Sequence, residues 1–70
     1  MKVVIIEDEQ ATALRLEKLL KEIEPATEVQ VVLDSIKSAV AWFNSNQPPE
    51  LIFQDIHLAD GSSFEIFDQV

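Results

Sequence analysis

Acidic residues follow directly after two short apolar runs of this chain. The runs and their acids are Val3–Ile6 with Glu7, Asp8 and Glu9, and Leu51–Phe53 with Gln54 and then Asp55. An apolar run of this length is typical of a strand buried on both faces of a parallel sheet, where ligands bind beyond the carboxyl ends of the strands. If the two strands are neighbours, their carboxylates meet at one edge, and two of them about 5 Å apart repel by roughly 3 kcal/mol at an effective dielectric of 20. The pattern therefore predicts a bound cation.

Composition favours one small folded domain. The chain has 70 residues, of which 47% are hydrophobic and 26% charged, and a chain of this length buries only about 60% of its unfolded surface. A net charge of −8 makes nucleic acid and anionic lipid poor partners and favours cations or basic proteins. The absence of cysteine excludes a disulfide framework and cysteine-type zinc sites. No run is long enough for a signal peptide or a membrane span, so we expect a soluble, cytoplasmic protein.

Hydrophobic periodicity predicts an alternation of strands and helices. Strands are predicted at about Lys2–Ile6 and Glu28–Leu33 and from Glu50 or Leu51 onward. Apolar residues at helical spacing predict two helices, the first ended by Pro25 and the second capped by Asp34 or Ser35. Their spaced residues are Leu16, Leu19, Leu20 and Ile23 in the first helix, and Ile36, Ala39, Val40 and Phe43 in the second. Ser62 and Glu65 have the spacing of a capping box, which predicts a third helix. The order is βαβαβα, an α/β fold with a three-stranded parallel sheet.

Two segments resemble the receiver domain of two-component response regulators, and more loosely the receivers that precede LytTR-type DNA-binding domains. They are VVIIEDE at residues 3–9 and LIFQDIHLADGSSFEIF at residues 51–67. The resemblance implies a flavodoxin-like, doubly wound parallel sheet of strand order 2-1-3, with three of the five βα units of a complete receiver present. It also implies that Asp55 accepts a phosphoryl group from a sensor histidine kinase. Glu7, Asp8, Asp55 and the backbone carbonyl of His57 are then the ligands of Mg²⁺.

This chemistry suits the residue types. Magnesium takes octahedral oxygen ligands, and proteins hold it with one or two carboxylates together with phosphate oxygens. A carboxylate can attack phosphorus to form an acyl phosphate, and a metal that bridges acceptor and phosphoryl group stabilises the transition state. The resemblance therefore implies a phosphoacceptor signalling domain and not an enzyme, although a complete receiver assists its own phosphorylation and dephosphorylation.

Simpler interpretations compete with this one. Glu7, Asp8 and Glu9 could instead lie in the first turn of a helix, where an acid is stabilised by the helix dipole by about 0.3–1 kcal/mol without any ligand. Asp55 taken alone would be a solvated loop acid, an interpretation that the apolar residues Ile52, Phe53 and Ile56 around it disfavour. The His57 side chain is expected to be incidental, because magnesium prefers oxygen to imidazole. Asp60 and Gly61 have the composition of a turn. The aromatic residues are expected in the core and between helices, with Trp42 also a candidate for a partner surface; they are Trp42, Phe43, Phe64 and Phe67.

The chain departs from a complete receiver in two respects. The family's phosphate-binding hydroxyl and lysine, on its fourth and fifth strands, have no counterpart, since Thr12, Thr27 and every lysine precede Asp55. The third strand also becomes a sheet edge, which we expect a second copy, a swapped strand or another chain to cover. DNA is contacted only through an output domain that these residues do not contain. The alternative is a truncated or pseudo-receiver that acts as an interaction or dimerisation module without phosphotransfer. A nucleotide-binding enzyme is disfavoured because a chain with one glycine has no glycine-rich phosphate loop.

Overall fold

The computed structural model describes residues 1–70 and contains one parallel sheet with helices on both of its faces. The strands are β1 (Lys2–Ile6), β2 (Glu28–Leu33) and β3 (Leu51–Gln54). The helices between them are α1 (Gln10–Ile23) and α2 (Ile36–Ser45). These five elements agree closely with the sequence prediction. α2 begins after Ser35, whose hydroxyl accepts from the Ser38 amide at 3.0 Å, and the Ser38 hydroxyl accepts in return from the Ser35 amide at 3.2 Å.

The order of the sheet is β2-β1-β3, with both pairings parallel. β1 is therefore the central strand, and its residues Val3–Ile6 are at most 1% exposed. The two loops that leave β1 and β3 at their carboxyl ends lie side by side, because Ile6 pairs with Gln54. In an open α/β sheet this is the point at which the strand order reverses, and ligands bind there. The α/β architecture and the 2-1-3 order are confirmed.

Each face of β1 belongs to a different apolar cluster. Val4 and Ile6 pack with Ile36 and Ala39 of α2, whereas Val3 and Ile5 pack with Ala13 of α1. Alternation of side chains along a strand sends neighbours to opposite faces, which explains why a continuous apolar run is needed here. Two core layers therefore hold β1, and with it the position of Glu7.

The apolar face predicted for α1 is only partly used. Leu16 and Leu20 pack against the cluster around Ala13. Leu19 and Ile23 have the same helical spacing but are 47% and 79% exposed. Neither of these two side chains belongs to the apolar cluster between α1 and the sheet.

The region after β3 differs from the prediction. The chain forms a short antiparallel hairpin, β4 (His57–Leu58) with β5 (Gly61–Ser62), and then a 3-10 helix at Ser63–Asp68 in place of the predicted third α-helix. Ser62 caps it by accepting from the Phe64 amide at 3.3 Å, so the predicted reciprocal box with Glu65 is wrong.

The aromatic residues divide between core and surface. Trp42 and Phe43 are half-buried against the α2 cluster, and the Phe43 ring lies 5.7 Å from that of Phe67. Phe64 and Phe67 are 61% and 46% exposed, so the expectation of a core position fails for Phe64 and holds only in part for Phe67. A 3-10 turn repeats every three residues, and it directs Ser63 and Ile66 inward instead.

β3 lies at the edge of the sheet, as the sequence predicted. It pairs only with β1, and Leu51 at its start is 40% exposed.

Neither α1 nor α2 has the length and apolar composition that crossing a lipid bilayer requires.

Candidate functional site

The strand ends bring the predicted acidic residues together. Glu7 follows β1 and Asp55 follows β3, and the amide of Asp55 donates to the carbonyl of Ile6 at 2.9 Å, extending the pairing of the two strands. Carboxylate oxygens of Glu7, Asp8 and Asp55, one from each residue, all lie within 4.8 Å of one another. Glu7 is half-buried, whereas Asp8 and Asp55 are exposed. We call these three residues the acidic cluster.

Helix capping does not account for the acidic cluster. α1 begins at Gln10 with Glu9 in the N-cap position, so Glu7 and Asp8 precede the helix and its first turn contains no acid. The Glu9 carboxylate accepts from the Thr12 hydroxyl at 3.0 Å and makes no bond to a helix amide. The two acids therefore neither cap the helix nor lie in its first turn.

Burial raises the pKa of Glu7 above its ordinary value, and the negative charges around it raise it further. Partial burial is the largest cause, followed by a hydrogen bond and repulsion from Asp55 and then by repulsion from Asp8 and Glu9. In addition, Glu7 Oε2 is buried and has no hydrogen-bond partner. A cation would satisfy this oxygen and would reduce the repulsion at the same time.

The geometry of the acidic cluster is close to that of a hard-cation site. Ligand oxygens lie about 2.1 Å from Mg²⁺, so oxygens on opposite sides of the ion are about 4.2 Å apart. Neighbouring oxygens of an octahedral site are about 3.0 Å apart. The cluster oxygens, which lie within 4.8 Å of one another, therefore have to come closer by up to about 1–2 Å to hold the ion, and two of the three side chains are exposed and free to move. Carboxylates fit Mg²⁺, Mn²⁺ or Ca²⁺ better than softer metals.

His57 lies beside the cluster through its backbone. Its amide approaches Asp55 Oδ1 at 3.4 Å, and its side chain is exposed. The role of its carbonyl as a ligand stays a prediction.

The turn predicted at Asp60 and Gly61 is present, with Ala59 and Asp60 in the turn itself and Gly61 as the first residue of β5. Gly61 has a φ of 139°, which an L side chain rarely adopts. The contacts of Asp60, however, are with a distant helix, because its carboxylate accepts from the amides of Ile36 at 2.8 Å and Lys37 at 3.2 Å. These bonds, that to Ile36 first, hold the pKa of Asp60 below its ordinary value. No local signal in the sequence indicates these partners.

Two open clefts give access to the acidic cluster. One, of about 530 Å³, lies between α1 and the start of α2 and is lined by Glu7 and Asp8. The other, of about 290 Å³, lies between α1 and β3, where Asp55 meets Thr12 and Gln54. The side-chain oxygen Oε1 of Gln54 is buried there without a hydrogen-bond partner. No sequence pattern predicted a role in the site for this residue. Asp55 is thus open to a reactant.

Comparison of the chain with protein-family models, curated proteins and solved structures found no match. The functional interpretation therefore depends on the acidic cluster and on the two sequence segments that contain it.

Proposed function

We propose that residues 1–70 belong to a phosphoacceptor receiver domain of a two-component response regulator. Asp55 accepts a phosphoryl group from a histidine kinase in the cytoplasm. Glu7, Asp8 and Asp55, with the carbonyl of His57, hold Mg²⁺ for this step. The observation that carries the proposal is the convergence of the three carboxylates within 4.8 Å at the carboxyl ends of two adjacent parallel strands.

The proposed step is a displacement at phosphorus. A carboxylate oxygen of Asp55 forms the new P–O bond while the P–N bond to the phosphohistidine breaks, and the departing imidazole keeps the bonding electron pair and takes up a proton. The chain contributes the nucleophile Asp55, which is exposed to solvent and held in place by the pairing of β3 with β1. Mg²⁺, when bound, neutralises charge on the transferring oxygens. The acyl phosphate then alters a conformational equilibrium that an output domain reads, in this proposal a DNA-binding one.

Phosphorylation by a small donor tests the proposal. The protein is incubated with acetyl phosphate and MgCl₂, and its intact mass is measured before and after treatment with hydroxylamine, which cleaves acyl phosphates. We expect one added phosphoryl group on the wild type, lost with hydroxylamine, and none on D55N or in chelator. D68N, an exposed acid outside the cluster, is the matched control and should be labelled normally. A phosphoryl group on D55N, or an unlabelled wild type, would contradict the proposal.

The unpaired edge of β3 supports a second candidate, an interaction module without phosphotransfer. Leu51 and Ile56, at either end of this segment, are 40% and 49% exposed, and the backbone groups on the outer side of β3 are available to another strand. A second copy paired through β3 is the simplest occupant. Sedimentation over a range of concentrations separates the candidates, since the module requires a dimer that Leu51→Lys weakens, whatever the result at Asp55.

A further inference from the structure

The segment that contains Asp55 is fixed to the rest of the molecule at two points. At its start, the Asp55 amide donates to the Ile6 carbonyl at 2.9 Å. At the turn of the β4–β5 hairpin, Asp60 accepts from the first two amides of α2. Between these points the chain is short, so the position of the turn restrains the backbone of Asp55 and His57.

These bonds are part of a closed ring around the acidic cluster. The Glu7 amide donates to the Leu33 carbonyl at 2.8 Å, and α2 begins shortly after Leu33, at Ile36. The ring thus runs through segments 6–7, 33–36 and 55–60 and is closed by three hydrogen bonds, Asp55 to Ile6, Glu7 to Leu33 and Ile36 to Asp60. Only the last of these depends on a side chain, the carboxylate of Asp60.

Packing supports the same connection. A Cβ added to Gly61 would lie 2.9 Å from Cδ1 of Ile36, so the turn rests directly on the first residue of α2. Ile36 and Leu58 are each 7% exposed and belong to one apolar cluster. The hairpin is therefore seated on α2, with Asp60 binding the helix amides that have no partner within the helix.

We infer that Asp60 is a positioning residue, which closes the ring and thereby holds Asp55 and His57 in register with Glu7 and Asp8. The part of this inference that concerns a metal rests on the proposed function; the part that concerns the backbone does not. Residues that orient metal ligands without touching the ion often change metal affinity by about 10-fold or more when they are replaced.

The test compares Asp60→Ala with Ser35→Ala in the full chain. Ser35→Ala removes a different cap of the same helix, the bond from the Ser38 amide, but leaves the ring closed. The first measurement is amide hydrogen exchange by NMR at Asp55 and Glu7. We expect Asp60→Ala to accelerate exchange at both amides by about 10-fold, since a bond to a charged group is lost, and Ser35→Ala to change it by less than about 2-fold.

The second measurement is Mg²⁺ affinity by calorimetry. Asp60→Ala should weaken binding by about 10-fold and Ser35→Ala by less than about 2-fold. Asp60→Asn keeps one oxygen for the Ile36 amide, should fall between wild type and Asp60→Ala, and replaces Asp60→Ala if that variant does not fold. If the Asp60 and Ser35 variants change exchange at Asp55 equally, Asp60 is only a helix cap and the inference is wrong. A wild type that does not bind Mg²⁺ refutes the proposed function, while the exchange data still decide the role of Asp60.

Discussion

Removing one negative charge from the acidic cluster should stabilise the protein when divalent cations are absent. Asp55→Asn is nearly isosteric and keeps an oxygen for the His57 amide. It removes repulsion with Glu7 and Asp8, whose oxygens lie within 4.8 Å. At that distance each pair costs about 3.5 kcal/mol at a dielectric of 20 and about 0.9 kcal/mol in bulk water.

The solvent exposure of the acidic cluster decides which of these two repulsion energies applies. Because Asp8 and Asp55 are both exposed, the value for water is the better guide, and loss of the two pairs should stabilise by about 1–2 kcal/mol at low salt. In a domain of this size, about 1 kcal/mol shifts the melting temperature by about 4–8 °C. We therefore expect Asp55→Asn to melt at least about 4 °C above wild type in chelator.

In the presence of magnesium, the wild type should melt at a higher temperature than Asp55→Asn. A ligand that binds only the folded state stabilises it by about 2.7 kcal/mol at 100 times its dissociation constant, and Asp55→Asn, with one ligand weakened, should gain much less. Circular dichroism melts in EDTA and in MgCl₂ measure both effects, with Asp68→Asn as a control that should behave like wild type. If Asp55→Asn melts at or below wild type in EDTA, the three carboxylates do not repel as the structure requires.

Three further predictions concern pH and packing. The pKa of Glu7 is raised in the folded state, so ionisation of Glu7 destabilises the fold as the pH rises. Glu7→Gln should therefore increase the free energy of unfolding at pH 7 in EDTA. Urea unfolding should show that this increase disappears below pH 4.5, the ordinary pKa, where Glu7 is protonated in both the folded and the unfolded state. Ile66 is fully buried, so Ile66→Ala should cost about 2–5 kcal/mol in urea unfolding, whereas Phe64→Ala at a position 61% exposed should cost far less. The Ser63 hydroxyl is buried without a partner, so Ser63→Ala should leave the stability unchanged or raise it by about 1 kcal/mol, and a loss of stability would show that the hydroxyl has a partner.

Local sequence patterns predicted the elements of the sheet and the residues of the acidic cluster. The apolar run Val3–Ile6 is a central strand because only such a strand is covered on both faces. The acids that follow β1 and β3 lie close together because neighbouring parallel strands end at the same edge of the sheet. Their positions at the ends of two apolar runs are visible in the sequence, so this proximity could be predicted. Whether these acids bind Mg²⁺ and whether Asp55 accepts phosphate remain predictions.

The tertiary structure decided what depends on residues far apart in the chain. Sequence periodicity places Leu19 and Leu20 on one helix face, but only Leu20 packs against the sheet, and Leu19 is left exposed. The composition of Asp60 and Gly61 indicates a turn, yet the partners of Asp60 are amides 23 and 24 residues earlier. The physical reason is that helix and strand propensities act over a few residues, whereas the contacts of a turn are set by which strands the sheet places side by side.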